Sequence, residues 1–358
     1  MVDRVYGILN QAAADLGVGP LVPDPRLERV AKALSGLSGP ASKSEQNVTE
    51  LCWLHGLVEP VPTVLNVETN DPGGQAALKL IRKWAAGLLA SGRFRRVASW
   101  VRKTRDGWKF VVAVQEVHLD MDPVPRQVPC RRPIRIRGRL DKEFRRPKVA
   151  VTGPDGRITE MSLQIAGSRF AGRIALKGGK GRYQVELLAE GPTGPTVLAN
   201  FPLYCGVDAP RSFRVREPES GPRDPLRAER YLFEAVNRER HGRGLPVLIW
   251  NKVLARVARN HSAEMCQTGD FGHRSARSGR PEDRVRRAGV AASMVAENVA
   301  SASNAASAHD ALMASPGHRA NILTKDLAEV GIGAVLCRMA HGGVQLMVTE
   351  LFIRPAAP

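Results

Sequence analysis

The sequence predicts an α+β protein with a small all-β domain in its middle, and two observations lead to that prediction. Apolar residues recur at helical spacing towards both ends of the chain. Between these two helical regions, the chain contains short segments in which apolar and polar residues alternate. Gly, Pro and Asp-Gly turns separate these segments. The 358 residues are enough for two or three domains, and 43% hydrophobic with 25% charged residues is an ordinary globular composition.

The first block, residues 1–121, is predicted to be an α+β domain. Helical periodicity precedes a strand pair in the segment FRRVASWVRKTRDGWKFVVAVQEV. The second block, residues 122–208, is predicted to be an immunoglobulin-like antiparallel β-sandwich, because segments such as RRPIRIRGRL and GRYQVELLAEG alternate apolar and polar residues. Cys130 and Cys205 lie at its first and last strands, where a disulfide would join the two ends of the domain. Residues 209–223, rich in Pro and Arg, are interpreted as a linker.

The last block, residues 224–356, is predicted to contain four helices followed by two strands. Asp224 caps the first helix with Pro225 in its first turn, and the second helix starts after Asn251. Short helices are predicted at PEDRVRRAG and at about 304–314. The segments EVGIGAVLCR and GVQLMVTELFI then form a hairpin.

The first block repeats part of the last one. ILNQAAADLGVGPLVPDPRLERVAKALS aligns without a gap on AVNRERHGRGLPVLIWNKVLARVARNHS, with seven matched positions at one offset of 227 residues. This pattern predicts an internal duplication, although two amphipathic helix pairs can also resemble each other by chance. His261 aligns with Leu34, so packing alone does not require an imidazole there. Glu350 aligns with Glu116 by this pattern.

Four residues of the last block are candidates for a catalytic or ligand-binding role. A fifth candidate lies on the apolar face of the second predicted helix of this block. Two histidines and one or two carboxylates in a cleft can hold a divalent metal such as zinc. They can equally form a general acid–base pair. Each also has an ordinary structural role available, such as capping or an ion pair with an arginine. The candidates are His273, Glu297, His318 and Glu350, with His261 beside them.

The segments FGH, AENVAS, SPGHRANIL and EVGIGAV, in this order, resemble the CAP superfamily of cysteine-rich secretory, antigen 5 and pathogenesis-related 1 proteins, and its bacterial secreted SCP-like branch in particular. The resemblance covers residues 228 to 354. It implies an α-β-α sandwich for the last block and, through the repeat, a degenerate CAP-like domain for the first.

The resemblance also implies a cleft lined by His273, Glu297 and His318. The second acidic residue of the family has no clear match, and Asp310 and Glu350 are the candidates for its place. Bacterial relatives more often carry Gln near Glu350. The incomplete set weakens an inherited zinc site, so we expect no certain cofactor.

The five cysteines, Cys52, Cys130, Cys205, Cys266 and Cys337, show no metal-type spacing. By spacing alone, they form two disulfides with one thiol left over, or all stay reduced. The family is mostly secreted, so the resemblance implies a Cys266–Cys337 disulfide and leaves Cys52 as the thiol. It also favours export to the envelope or beyond over the cytoplasm, although the N-terminus MVDRVYGILNQ does not read as a signal peptide.

The net charge of +18 predicts attraction to polyanions, although a solvated arginine-rich surface explains it as well. No zinc-finger spacing, aromatic RNA-binding run or basic zipper helix is present, so we do not expect nucleic acid as partner. No run of 18 apolar residues is present, so no transmembrane segment is expected. Oligomeric state is not predicted.

Two functions follow. The first is a module that binds a lipidic or anionic cell-wall or extracellular ligand in the His/Glu cleft, and it is the one we expect. The second is a metal-assisted or His/Glu acid–base hydrolase, with His273, Glu297 and His318 as its candidate catalytic residues. Ser262, Ser315 and Thr349 lie near these histidines in sequence, but no GxSxG nucleophile elbow is present.

Overall fold

The structure is a computed structural model that describes residues 1–90, 93–130, 132–217 and 220–356. The chain forms two compact units. The first unit contains Met1–Pro129, Leu198–Pro218 and Ala340–Gly342. The second unit contains Cys130–Val197, Glu219–Met339 and Gly343–Pro358.

The first unit is an α+β domain with one sheet between two layers of helices. Its helices are α1 (Val2–Asp15), α2 (Pro25–Ser35), α3 (Glu45–Leu54) and α4 (Gln75–Leu89), with a 3₁₀ helix at Gly39–Lys43. Its strands are β1 (Val22–Pro23), β2 (Thr63–Thr69), β3 (Phe94–Lys103), β4 (Trp108–Glu116), β5 (Leu119–Met121) and β6 (Gln127–Val128). The sheet order is β1-β3-β4-β2, with β1 parallel to β3. Helices α1 and α4 pack on one face of the sheet, and α2 and α3 pack on the other.

The middle of the chain consists of short antiparallel strands, as its alternating pattern predicts. They are β7 (Ile134–Leu140), β8 (Arg145–Thr152), β9 (Ile158–Ser162), β10 (Gln164–Ala166), β11 (Arg169–Ile174), β12 (Gly181–Gly191) and β13 (Gly194–Cys205). Strands β10, β11 and β7 are neighbours in one sheet, and β13, β12, β8 and β9 are neighbours in a second. The alternation of β7 buries Ile134, Ile136 and Leu140.

The last part of the chain is an α-β-α sandwich, which confirms the fold that the resemblance implied. Its helices are α5 (Pro225–His241), α6 (Lys252–Thr268), α7 (Pro281–Arg287), α8 (Ala305–Ala314) and α9 (Pro316–Leu323). Its strands are β14 (Ile249–Trp250), β15 (Ala292–Ala302), β16 (Glu329–Arg338) and β17 (Val344–Pro355), in the order β14-β16-β17-β15. Helices α6 and α7 pack on one face, and α5, α8 and α9 pack on the other.

Helix α6 lies very close to β16, and glycines make this approach possible. A Cβ atom on Gly331 would lie 2.1 Å from the backbone nitrogen of Ala255, and one on Gly333 would lie 2.0 Å from that of Arg259. The predicted caps are confirmed. Asp224 accepts a hydrogen bond from the backbone of Arg227, and Asn251 accepts from the first turn of α6.

Two elements correct the order predicted for this part. Glu297 lies on a strand, β15, and not on a loop, because the polar pair Glu297–Asn298 interrupts the apolar pattern that would have revealed the strand. The Pro-Gly pair of SPGHRANIL begins helix α9, which the prediction of four helices did not include. Pro316 occupies the first turn, where its missing N–H has no partner to lose, and the Ser315 side chain caps the helix.

Cys266 and Cys337 form a disulfide, as predicted, and their Cα atoms are 5.5 Å apart. Neither Cys130 nor Cys205 is a free thiol, and Cys52 is a buried free thiol. Among the described residues, no helix is both long enough and apolar enough to cross a bilayer.

Candidate functional site

His273 and Glu297 meet at the edge of the sheet, and an arginine joins them. His273 lies in the loop after α6, and its Nδ1 is 3.1 Å from Oε1 of Glu297. Arg284 on α7 donates to the other carboxylate oxygen at 2.5 Å. The same guanidinium donates to the backbone oxygens of His273 and Gly279, at 3.2 and 2.8 Å. Arg284 therefore fixes both the carboxylate and the loop that carries the histidine.

These contacts determine the protonation of the pair. Burial raises the pKa of Glu297, but the hydrogen bond from His273 and the charge of Arg284 outweigh burial and hold the pKa below its usual value. The ionised carboxylate can only accept hydrogen bonds, so the proton of a neutral His273 ring lies on Nδ1. Its Nε2 is then left with a lone pair, free to accept a hydrogen bond or to bind a cation.

His318 lies in the first turn of α9 and faces His273. The centroids of the two rings are 6.1 Å apart, and the rings are tilted by 45°. Burial and the nearby His273 lower the pKa of His318 to about 3, so its imidazole is neutral at physiological pH. Ser315 and Pro316 begin helix α9 at this point, so the start of this helix fixes the position of the His318 ring.

His261 lies on α6 behind this pair. Its side chain is buried, and its Nε2 is 2.9 Å from the backbone oxygen of Gly272 and 3.8 Å from Oε1 of Glu297. Burial lowers the pKa of His261, although the charge of Glu297 partly opposes this effect. His261 also lines a pocket of about 260 Å³ together with Glu264, Met265 and Ser275.

Glu350 is fully buried on β17 and reaches the histidines only through amide side chains. Asn298 on β15 donates to Oε2 of Glu350 at 3.0 Å and to the backbone oxygen of His318 at 3.2 Å. Asn321 on α9 donates to Oδ1 of Asn298 and to the backbone oxygen of Glu297. Burial raises the pKa of Glu350 to about 7, against the effect of the Asn298 hydrogen bond. An ion pair with an arginine, the ordinary structural role considered for Glu350, does not occur among the described residues.

Strand β12 and the turn that follows it also contact both histidine-bearing segments. The backbone nitrogen of Arg274 donates to the oxygen of Thr193 at 2.8 Å. At Gly272, whose φ is +151°, a Cβ would clash with the same threonine. Glu186 on β12 accepts from the backbone nitrogen of Gly317 at 3.3 Å, and burial raises the pKa of Glu186 to about 7.

The predicted site residues thus fall into three groups. His273, Glu297, His318 and His261 lie together, and Glu350 joins them through Asn298. Asp310 is exposed on α8. Ser262 is buried and bonds to the oxygen of Gly333 and the hydroxyl of Thr349.

Sequence reasoning missed Arg284, Asn298 and Asn321. The two asparagines follow Glu297 and His318 by one and three residues, so their closeness to the candidates was the available signal. Arg284 is one of four basic residues in RPEDRVRR, and nothing in that segment distinguishes it.

The donor set does not fit a three-ligand zinc site. Zinc sites in proteins use three or four nitrogen, sulfur or carboxylate ligands around one point. Within the described part of the chain, His273, Glu297 and His318 are not among the residue groups whose ligand atoms all lie within 4.8 Å of one another. The carboxylate of Glu297 is already neutralised by Arg284. The two imidazoles alone remain for a cation, and zinc binding stays a prediction.

The segments that carry these site residues also match the sequence model of a known protein family. Residues 233–347 match the family model described as the Cysteine-rich secretory protein family, CAP. The chain carries a CAP domain. The match includes the loop of His273, strand β15 with Glu297, and helix α9 with His318.

Two relatives from Bacillus subtilis strain 168 match this CAP region. The uncharacterized protein YkwD is 32% identical over 117 residues, which are 32% of this chain and 46% of YkwD. The uncharacterized membrane protein YlbC is 30% identical over 107 residues, which are 30% of this chain and 31% of YlbC. The chain therefore spans less than half the length of either relative.

Solved structures of bacterial proteins are similar to parts of the chain. An extracellular SCP-domain protein from Bacillus anthracis is 19% identical, with a TM-score of 0.33, covering 66% of this chain and 86% of that one. A cysteine-rich secretory protein from Staphylococcus aureus Mu50 is 16% identical, with a TM-score of 0.31, covering 75% and 89%. At these sequence identities and TM-scores, the similarity to solved structures adds no evidence to the family match.

Proposed function

We propose that the CAP domain is a binding module that holds a lipidic or anionic ligand of the cell wall or extracellular medium between His273 and His318. One observation carries the proposal: the polar groups that a hydrolase would need are committed to holding the site together. Glu297 is bonded to Arg284 and His273, and the Ser262 hydroxyl donates to a backbone oxygen away from both rings. The imidazoles of His273 and His318 remain to meet a ligand.

We further infer that the first unit and the CAP domain are copies of one ancestral domain. The support is topological. β1 and β14 both run parallel to the next strand of their sheets, and the orders β1-β3-β4-β2 and β14-β16-β17-β15 correspond strand by strand. Val22 and Ile249, the first residues of β1 and β14, are separated by the same offset of 227 residues as the sequence repeat. When the two sheets are matched strand by strand, Glu350 corresponds to Val112. The sequence pattern had matched it to Glu116.

This correspondence supports a functional role for the polar set of the CAP domain. Each of four polar residues in the CAP sheet and α6 has an apolar residue at the matching position of the first unit. The matches are His261 with Leu34, Glu297 with Val64, Asn298 with Leu65, and Glu350 with Val112. The same scaffold therefore folds without these polar groups, and burying them is unfavourable unless they serve another purpose.

A binding assay with a paired histidine variant tests the proposal. The purified protein is incubated with a cell-wall preparation and with phosphatidylglycerol vesicles at 50 mM and 300 mM salt. We expect retention on one of them, loss of retention in His273→Ala/His318→Ala, and normal retention in the exposed control His241→Ala. Absence of retention at 50 mM salt, or equal retention of the paired variant, contradicts the proposal.

A His/Glu acid–base hydrolase is the second candidate, because one contact favours it. The Nδ1–H of His273 is oriented by a carboxylate, as in the histidine–carboxylate pairs of many general bases. Turnover of a panel of ester and peptide substrates tests this alternative. Activity that disappears in His273→Ala and persists in His241→Ala would favour catalysis over binding alone.

We propose that the protein functions outside the cytoplasm, in the envelope or beyond. The Cys266–Cys337 disulfide within the CAP domain supports this localisation, since structural disulfides persist in oxidising compartments and are rare in the cytosol. Thiol labelling of the protein in cell fractions tests it. We expect Cys266 and Cys337 to be protected from labelling unless the sample is first reduced.

A further inference from the structure

Two neighbouring strands of the β-sandwich present a face made of arginines. On β7 every second side chain is an exposed arginine, while the residues between them are buried or half-buried. On β11 the exposed positions are Arg169, Ala171 and Arg173, and Phe170 and Ile174 face the core. We call the exposed side of these two strands the arginine face, and its five arginines are Arg135, Arg137, Arg139, Arg169 and Arg173.

The strand register places these arginines directly opposite one another. Arg135 pairs with Arg173 and Arg139 pairs with Arg169, while Arg137 lies opposite the small side chain of Ala171. On the other side of β11, strand β10 adds Gln164 and Ala166 to the same side of the sheet. The exposed side of strands β10, β11 and β7 therefore carries no acidic side chain.

This arrangement works against the stability of the sheet. Like charges directly opposite in an antiparallel pair repel each other. In the described part of the chain, the side chains of Arg135, Arg139, Arg169 and Arg173 form no ion pair or hydrogen bond. The nearest acids along β7, Asp141 and Glu143, come after the strand has ended. These four arginines repel one another and have no partner in the described part of the chain, so an external anion is the partner that would offset their charge.

The geometry of the face fits a line of phosphates. Exposed residues on one strand are spaced by about 7 Å, and directly opposite residues by about 5 Å. The arginines thus form a strip about 14 Å long and one strand pair wide. Each opposed pair places two arginines side by side on the face. Each guanidinium can bind a phosphate through two hydrogen bonds.

We propose that the arginine face binds a linear, base-free chain of phosphates lying along β7 and β11. The narrow strip fits an extended chain better than the wide plane of a lipid surface. The exposed side of these strands has no aromatic side chain on which a nucleic-acid base could stack, so nothing on it would recognise bases. The face shares no residue with the His273–His318 cleft and does not depend on the function proposed there.

Long-chain inorganic polyphosphate is the probe that tests the face. Its binding to the full chain is measured by fluorescence anisotropy from 50 to 300 mM salt, for the wild type and for Arg135→Gln/Arg173→Gln. The control Arg227→Gln/Arg230→Gln removes the same charge from exposed positions on α5. We expect binding about ten-fold weaker in the face variant and less than about two-fold weaker in the control.

The salt dependence supplies a second readout. If four arginines neutralise phosphates, the slope of log K against log salt should be about −3 for the wild type and about −1.5 for the face variant. The face variant should also unfold at an equal or higher temperature than the wild type, since it loses like-charge repulsion. Unfolding of the variant therefore cannot account for weaker binding.

Four results would overturn the proposal. The first is no polyphosphate binding at 50 mM salt, and the second is equal weakening in the face and control variants. The third is phosphatidylglycerol vesicles binding more tightly than polyphosphate in a manner that the face variant abolishes. The fourth is an oligothymidylate of equal charge binding more than about ten-fold tighter than polyphosphate, which would indicate recognition of bases.

Discussion

Glu350 is a buried acid whose neutral form suits the fold. Only Asn298 bonds to its carboxyl group, and Oε1 has no partner among the described residues. Because burial raises its pKa from the usual 4.5 to about 7, the folded chain binds more protons than the unfolded chain between these values. Stability contributed by this group is therefore full below about pH 4.5 and is lost as the pH rises through 7.

Glu350→Gln should remove this loss, since glutamine mimics the neutral acid and keeps an acceptor for Asn298. Between pH 4.5 and pH 8 we expect the variant to gain roughly 3 kcal/mol in free energy of unfolding relative to the wild type. Urea denaturation at the two pH values measures it. Glu234→Gln, exposed on α5, is the control. An equal pH response in both variants would mean that Glu350 is ionised in the fold.

Arg284 neutralises Glu297, and its removal tests whether the site can accept zinc. Arg284→Gln strands a buried carboxylate, so we expect a loss of about 3 kcal/mol or more in free energy of unfolding. The freed carboxylate would then supply a third ligand beside the two imidazoles. Added zinc should therefore raise the melting temperature of this variant more than that of the wild type.

The exposed ion-pair variant Arg286→Gln is the control for this experiment, because it removes an arginine from the same helix without touching Glu297. It should behave like the wild type with and without zinc. If zinc stabilises the wild type as strongly as Arg284→Gln, Arg284 does not block the metal and the three-ligand site of the sequence analysis is restored.

At the scale of elements, the sequence predicted the helices with clear caps and the strands with clear alternation. Asp224 and Asn251 marked α5 and α6, and apolar alternation marked β16 and β17. Strand β15 was not predicted, because Glu297 and Asn298 are buried polar residues in its centre. Their partners, Arg284 and Asn321, come from other elements, and a single sequence does not reveal such pairings.

Helix α9 was missed for a different reason: proline and glycine usually mark turns, but Pro316 lies in the one turn of a helix that tolerates it. Its start depends on Ser315, whose side chain accepts from the backbone nitrogen of His318. Ser315→Ala should therefore reduce stability by about 1 kcal/mol and weaken ligand retention, since it loosens the turn that carries His318.

Thermal unfolding and the retention assay measure both effects of Ser315→Ala. Ser301→Ala, exposed on β15, is the control and should leave both values unchanged. If Ser315→Ala lowers stability with no change in retention, the position of His318 does not depend on the helix cap.

At the scale of the whole molecule, the proposed duplication offers a test that most chains do not. The first unit places Leu65 and Val112 where the CAP domain places Asn298 and Glu350. Asn298→Leu alone leaves Glu350 without its partner, and Glu350→Val alone leaves Asn298 short of an acceptor. Each single change should cost about 1–3 kcal/mol in free energy of unfolding.

The double variant Asn298→Leu/Glu350→Val replaces both partners by the apolar residues at the matching positions of the first unit, and such replacements can be nearly neutral. We therefore expect a loss smaller than the sum of the single losses by at least about 1 kcal/mol, measured as a double-mutant cycle by urea denaturation. Ligand retention should still fall, because the bond from Asn298 to the His318 backbone is gone. Additive losses, or a double variant that does not fold, would mean that the CAP scaffold needs its polar pair for stability. The comparison of its sheet with that of the first unit would then not identify functional residues.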